Sequence, residues 1–300
     1  CLLFVPWLPT FFFQSQHTGT PWAVPANFAA MVNAIGTFAG GSTSQGRALG
    51  LLFFALAGLA LFGLAVNRRH VDLDLRTRPL GRPLTIVVAG TLAAAIVGGF
   101  VTRSAFDARY ASVVFVPLIL LVALGFTVFL DRRVRAGVLG VAALLGLVAA
   151  APNVSTNRTQ AGQVVAAIRA AGGKPGDVVG YCPDQLGPAV ARLLPPGFHQ
   201  TTFPRGSGPV FVNWVDYASA VHAASPAAYA TGLESAAAVG GPHRIFVVWA
   251  PSYQAYGSRC EAIVETLQGD PAYRTRSLVT GDPISFYQPM WMVEFTPTTG

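Results

Sequence analysis

Arg103, Asp107 and Arg109 stand in "GGFVTRSAFDARYASVVFVPLILL", residues 98–121, in a short gap between two long apolar runs. Guanidinium groups at such a place have two uses. One is snorkelling, in which an arginine near a helix end lays its stem on apolar surface and reaches the lipid headgroups. The other is phosphate binding, because the planar, permanently charged fork of arginine matches phosphate oxygens. Tyr110 adds a hydroxyl beside Arg109, and Asp107 can orient either arginine.

A second candidate constellation is "PWLPTFFFQSQHTGTPWAVPANFAAMVNAIG", residues 6–36. Phe11, Phe12 and Phe13 suit an aromatic belt at a membrane interface. Gln14, Gln16, His17, Thr18, Thr20 and Trp22 are amides, hydroxyls, an imidazole and an indole on what reads as an irregular backbone. Sugar recognition uses such groups, with hydrogen bonds to hydroxyls and a flat apolar face under the ring. Gln14, His17 and Trp22 are the named candidates for sugar or acceptor contact. The plain alternative is an ordinary interfacial loop with a structural histidine. A zinc site needs several His or Cys ligands at set spacing, and that pattern is absent from the sequence.

A third group lies further on. "YCPDQLGPA" carries Cys182, Asp184 and Gln185, "NWVDYA" carries Trp214, Asp216 and Tyr217, and "SRCEAIVETLQG" carries Cys260. Ligands of open α/β sheets bind outside the carboxyl ends of the strands. Asp184, Gln185, Trp214, Asp216 and Tyr217 are therefore candidate contacts for a polysaccharide or acceptor, with loop capping as the structural alternative for the two aspartates. Cys182 would end one strand and Cys260 would follow another, so their sulfurs could meet if those strands are neighbours. A disulfide and two buried free thiols are both compatible with this placement. The motifs GxGxxG, GxSxG and the P-loop are all absent.

The elements that must position these residues follow from composition. Of 300 residues, 52% are hydrophobic and 11% charged, against about 25% charged in soluble domains. Mean hydropathy is +0.50. Residues 1–151 hold eleven Arg and four Asp, whereas 152–300 hold nine basic and nine acidic residues. The basic excess thus sits as short clusters between apolar runs, which is the pattern of membrane topology. It is unlike the basic face of a nucleic-acid reader, and no nucleic-acid partner is expected.

A membrane helix needs roughly 20 mostly apolar residues. Runs 48–66, 84–101 and 111–130 qualify, and 136–151 is expected to span with its flanks and to end at Pro152. The apolar start at Cys1 reads as a helix cut by the beginning of the sequence, so the chain is expected to be the C-terminal part of a longer protein. Loop 67–82 carries five Arg and loop 131–135 three. Positive loops face the cytoplasm. Residues 9–47, 102–110 and everything after 152 are then expected outside the cell membrane. The expected fold is a helical membrane bundle over 1–152 with four spans, followed by an extracytoplasmic α/β domain over 153–300 with a mainly parallel sheet. Its strands are expected at 177–182 and 243–250, with a closing strand pair near the end, and its helices at 160–172, 185–194, 214–224, 226–239 and 258–269.

"PWLPTFFFQSQHTGTPWAVP" followed by "DARYASVVFVPLILLVALGF" resembles bacterial polytopic glycosyltransferases of the GT-C class, in the protein mannosyltransferase-like and aminoarabinose transferase-like branch. The "GDVVGYCPDQLGPAVARLL" segment resembles actinobacterial members. The resemblance implies a polyprenyl-phosphate sugar donor, transfer to a glycan or protein acceptor on the outer face, and a donor phosphate held by Arg109, with Arg103 and Tyr110 beside it. It also implies a catalytic carboxylate in a first outer loop, which this sequence does not contain. Asp107 does not match that motif, and the catalytic base is unassigned. No cofactor is assigned, and a divalent cation is left open. The alternative is a non-catalytic membrane protein whose outer domain binds cell-wall glycan or a partner protein. A transporter of lipid-linked sugars would place ionisable residues in mid-membrane, and the expected spans carry none.

Overall fold

The computed structural model describes residues 2–18, 27–38, 40–101, 108–251 and 253–298. The chain divides into two compact units, Ala23–Ser155 and Cys1–Trp22 with Thr156–Gly300. A 3-10 turn, Leu2–Trp7, leads into helix α1, Leu8–His17.

The first unit is helical. Helix α2 is Phe28–Phe38, and α3, Ser44–Phe62, is capped by the Thr43 hydroxyl, which accepts from the Gly46 N–H at 3.0 Å. A short antiparallel hairpin follows, β1 (Gly63–Ala65) and β2 (Val71–Leu73), turned by the Asn67 side chain, which accepts from the N–H groups of Arg69 and His70. Then come α4 (Gly81–Val101), a 3-10 turn (Ala108–Val114), α5 (Phe115–Phe126) and α6 (Arg132–Ser155). The small core is Leu56, Ala60, Val88, Val114, Leu118, Leu121 and Val122. Only 11% of the apolar window of α4 and 6% of that of α6 is buried. Apolar helices that bury almost nothing need a solvent other than water. Three helices, α3, α4 and α6, are long and apolar enough to cross a membrane.

Two expectations are corrected here. The 111–130 run is not one continuous α-helix; it is apolar but split between the 3-10 turn and the 12-residue α5. Pro117 explains the break. A proline ring clashes with the carbonyl four residues back and supplies no N–H, so an α-helix cannot run through from Val113. Nor does Pro152 end α6, which runs on to Ser155.

The second unit, from Thr156, is a three-layer α/β fold. Its elements are α7 (Ala161–Ala170), β3 (Val178–Cys182), α8 (Gly187–Ala191), β4 (His199–Thr202), α9 (Tyr217–Ala223), α10 (Pro226–Ala237), β5 (Ile245–Trp249), α11 (Arg259–Gln268), β6 (Tyr273–Val279) and β7 (Trp291–Pro297). The sheet order is β4-β3-β5-β7-β6. The expected mainly parallel sheet is mixed: β4, β3 and β5 are parallel, whereas β7 and β6 pair antiparallel. The antiparallel half arises because β6 and β7 are consecutive and joined without a crossover helix.

The strands that read as continuous apolar runs are buried on both faces, and alternation assigns their side chains. Val178, Cys182, Ile245, Val247, Val293 and Phe295 face α9, α10 and α11. Val179, Tyr181, Phe246, Val248 and Met292 face α7 and α8. Gly180 is small for cause, since a Cβ there would lie 3.0 Å from the Leu233 side chain. Buried Glu294 on β7 is paired with Arg276 at 2.8 Å and Arg244 at 3.3 Å.

Candidate functional site

Strands β4, β3 and β5 point the same way, and the segments that leave their carboxyl ends carry most of the sheet domain's candidate residues. The disulfide Cys182–Cys260 joins the end of β3 to the first turn of α11. The Asp184 carboxylate, 6% exposed, opens a 3-10 turn directly after β3. It accepts from the Tyr217 hydroxyl and, at 3.2 Å, from the Tyr256 hydroxyl. Tyr256 also reaches the Phe203 carbonyl at 3.2 Å, and the two tyrosine hydroxyls touch each other. Gln185 Nε2 donates to the Tyr217 oxygen at 2.7 Å, while Gln185 Oε1 is buried without a partner.

Burial pushes the Asp184 carboxyl above its usual range, and the hydrogen bonds from Tyr217 and Tyr256 oppose that rise. Burial likewise pushes both tyrosines well above the usual phenol range, so they remain donors. Backbone hydrogen bonds at Asp184 and Gln185 also reach the carboxylate, so its loop-capping role and its contacts to the tyrosines coexist. It is the acceptor at the centre of a closed network that ties together the segments after β3, β4 and β5. A carboxylate so held orders these loops.

The accessible groups lie beside that network. Trp214, half-buried, tilts over the Tyr217 ring at 4.8 Å. Asp216 precedes α9 and has a left-handed backbone, φ 49°. A non-glycine residue there is uncommon and costs of order 1–3 kcal/mol, and such strain concentrates at functional sites. Its carboxylate does not cap α9. Asp216 Oδ1 instead lies 2.9 Å from Nδ1 of His17, and the Asp216 N–H donates to the His17 carbonyl at 2.8 Å. The Phe13 ring stacks on the imidazole at 4.5 Å and 26°. The side chains of His17 and Asp216 are 38% and 54% exposed.

His17 and Asp216 are 199 residues apart in sequence. Each was a separate candidate in the sequence, and the fold makes them one site. An imidazole whose Nδ1 is held by a carboxylate presents Nε2 outward, the arrangement by which a histidine takes a proton from a hydroxyl. Gln14 lies on the same helix, exposed, its carbonyl accepting from the Thr18 N–H and hydroxyl. Tyr256 and the linking role of Gln185 were missed in the sequence, where a tyrosine in "SYQAYGSRC" carries no signal of burial.

Arg109 and Tyr110 lie in the 3-10 turn Ala108–Val114, whose backbone packs near α2, α4 and α5. Arg103, Asp107 and Trp22 lie outside the described residues. Among the described residues, no three His, Cys, Asp or Glu side chains come together as a metal would require. No family model matches the chain, and no curated protein or solved structure is similar to it.

Proposed function

We propose that this chain belongs to an integral membrane glycosyltransferase. It transfers a sugar from a polyprenyl-phosphate donor to a cell-envelope acceptor on the outer face of the plasma membrane. The observation that carries the reading is the His17–Asp216 pair, whose side chains are open to solvent. In the proposed step the acceptor hydroxyl oxygen attacks the anomeric carbon of the donor. The bond from that carbon to the phosphate oxygen breaks, the electron pair leaves with polyprenyl phosphate, and Nε2 of His17 takes the hydroxyl proton. Asp216 orients the ring and stabilises the imidazolium. Trp214 offers the sugar an apolar face. Separately, on the resemblance, Arg109 with Arg103 and Tyr110 is the candidate for holding a donor phosphate, which suits the planar, permanently charged fork of arginine. Support for the membrane setting comes from α3, α4 and α6.

The test uses the full-length protein in membranes with radiolabelled polyprenyl-phosphate sugars. Loss of a general base costs about 10²–10⁴-fold. Transfer by wild type should fall by that order in His17→Gln, and less in Asp216→Asn, while Arg109→Ala should raise the donor KM. Transfer unaffected by His17→Gln would remove the pair from the mechanism. Glycan binding without transfer by wild type would favour the alternative, a non-catalytic outer domain that recognises cell-wall glycan.

A further inference from the structure

The loop from Thr280 to Met290, which joins β6 to β7, presents bare apolar side chains on a rigid frame. Ile284 is 96% exposed and Tyr287 85%. Scattered exposed hydrophobics are ordinary on mobile loops, but this loop is fastened at both ends. The buried Gln160 amide holds it: Nε2 donates to the Thr280 carbonyl at 2.8 Å, and Oε1 accepts from the N–H groups of Asp282 at 3.1 Å and Met290 at 3.0 Å. Asp282 then turns the tip, its Oδ1 accepting from the N–H groups of Ile284 and Ser285 at 3.0 and 2.9 Å. Gln288 donates to the Arg158 carbonyl at 3.0 Å and accepts from the Gln160 N–H at 3.2 Å. A fixed loop with outward Ile and Tyr has given up its conformational freedom without burying its apolar surface.

Chain continuity identifies what covers it. Arg158, to which the loop is bonded, is the third residue after Ser155, the last of the apolar helix α6. Three residues of chain span at most about 11 Å. The loop is therefore tied to the place where the chain leaves α6. The Arg158 guanidinium carbon stands 5.9 Å from the centre of the Tyr287 ring. A cation beside a tyrosine and an aliphatic side chain is the composition of a headgroup-level anchor.

We propose that this loop is a membrane anchor of the α/β domain: Ile284 and Tyr287 enter the headgroup–acyl boundary of the adjacent leaflet, and Arg158 meets a phospholipid phosphate. The loop leads into β7 at Trp291, opposite Trp249 at the end of β5, and so lies at the same end of the sheet as the carboxyl ends of β3 and β5. The proposal rests on α6 crossing the bilayer and not on sugar transfer.

The experiment places an environment-sensitive fluorophore at Ile284→Cys, in a Cys1→Ser background, on the full chain in phosphatidylcholine–phosphatidylglycerol nanodiscs. Val239→Cys, in an exposed turn before the opposite end of β5, is the control for the domain, and Leu144→Cys, on α6, is the control for insertion. The label at 284 should be blue-shifted and quenched by shallow nitroxide lipids about threefold more than the label at 239. Quenching at 144 with equal, weak quenching at 284 and 239 would overturn the anchor alone. Absence of quenching at 144 would overturn the membrane reading and the anchor with it.

Discussion

Tyr217→Phe tests the polar network at the sheet edge, because it removes one oxygen and keeps the ring. The ring contacts to Trp214 at 4.8 Å and Tyr256 at 6.2 Å survive, so the apolar contribution is unchanged. Lost are the donation to Asp184, the acceptance from Gln185 and the contact with the Tyr256 hydroxyl. A hydrogen bond to an ionised group contributes about 1.5–3 kcal/mol, and the stranded Gln185 amide adds about 1 kcal/mol. The expected cost with Asp184 ionised is thus about 2.5–4 kcal/mol. With Asp184 protonated it falls to about 2 kcal/mol, about 1 for a neutral pair and about 1 for the Gln185 amide.

The pH dependence follows from the direction of the shift. Burial raises the Asp184 carboxyl in the folded protein, and the Tyr217 bond partly lowers it. Between the ordinary carboxylate range and the raised value, the folded chain holds a proton that the unfolded chain has released. Stability therefore falls as pH rises through that window. Tyr217→Phe raises the folded value further and widens the window upward, so its cost should be greater at about pH 8 than at about pH 4. The readout is amide hydrogen exchange of the buried β3 strand in the full-length protein, corrected for intrinsic rates, since local opening reports the stability of this unit alone. Each 1.4 kcal/mol is tenfold in the opening equilibrium, so acceleration of about 60- to 700-fold is expected at the higher pH. In an Asp184→Asn background the same substitution should cost equally at both. Equal acceleration at both pH values with Asp184 present, or less than about threefold at the higher one, would refute the reasoning.

Two further outcomes test the packing. Removing the disulfide by Cys182→Ala and Cys260→Ala opens a link across 78 residues; chain entropy sets the loss at up to about 4.5 kcal/mol, read as faster exchange in β3 and α11 while α3 is unchanged. In the membrane unit, a Cβ at Gly125 would collide with the Leu56 carbonyl oxygen, which is backbone and cannot yield. Gly125→Ala should cost about 3 kcal/mol by forcing α3 and α5 apart, seen as a lowered thermal midpoint in detergent, whereas Gly58→Ala, with nothing within 4 Å of its Cβ, should be silent.

Local pattern determined much of this molecule. The apolar helices α3, α4 and α6 are legible because a span is a property of one continuous window of sequence. The strands β3 and β5 are legible because "DVVGYC" and "HRIFVVWA" are apolar on both faces, as only a strand inside a covered sheet needs to be. The 111–130 run has the composition of a span, but its break into two helical pieces is set by the single residue Pro117. Strand β4, "HQTT", is short and polar, and only pairing with β3 makes it a strand. The β6–β7 pair was legible as strands, but its antiparallel place beside β5 was not.

The candidate site divides in the same way. Residue types nominated His17, Asp184, Trp214, Asp216 and Tyr217 one by one. Which aspartate is buried and which is open was decided by the tertiary structure alone. Asp184 lies under Tyr217 and Tyr256, whose hydroxyls take up its oxygen, whereas Asp216 is turned outward by its left-handed backbone and meets His17. Sequence spacing carries no information about a contact between residues 199 positions apart. That contact exists because α1 belongs to the same compact unit as the sheet, and docking of one element on another is a sum of packing contacts that no single stretch of the chain contains.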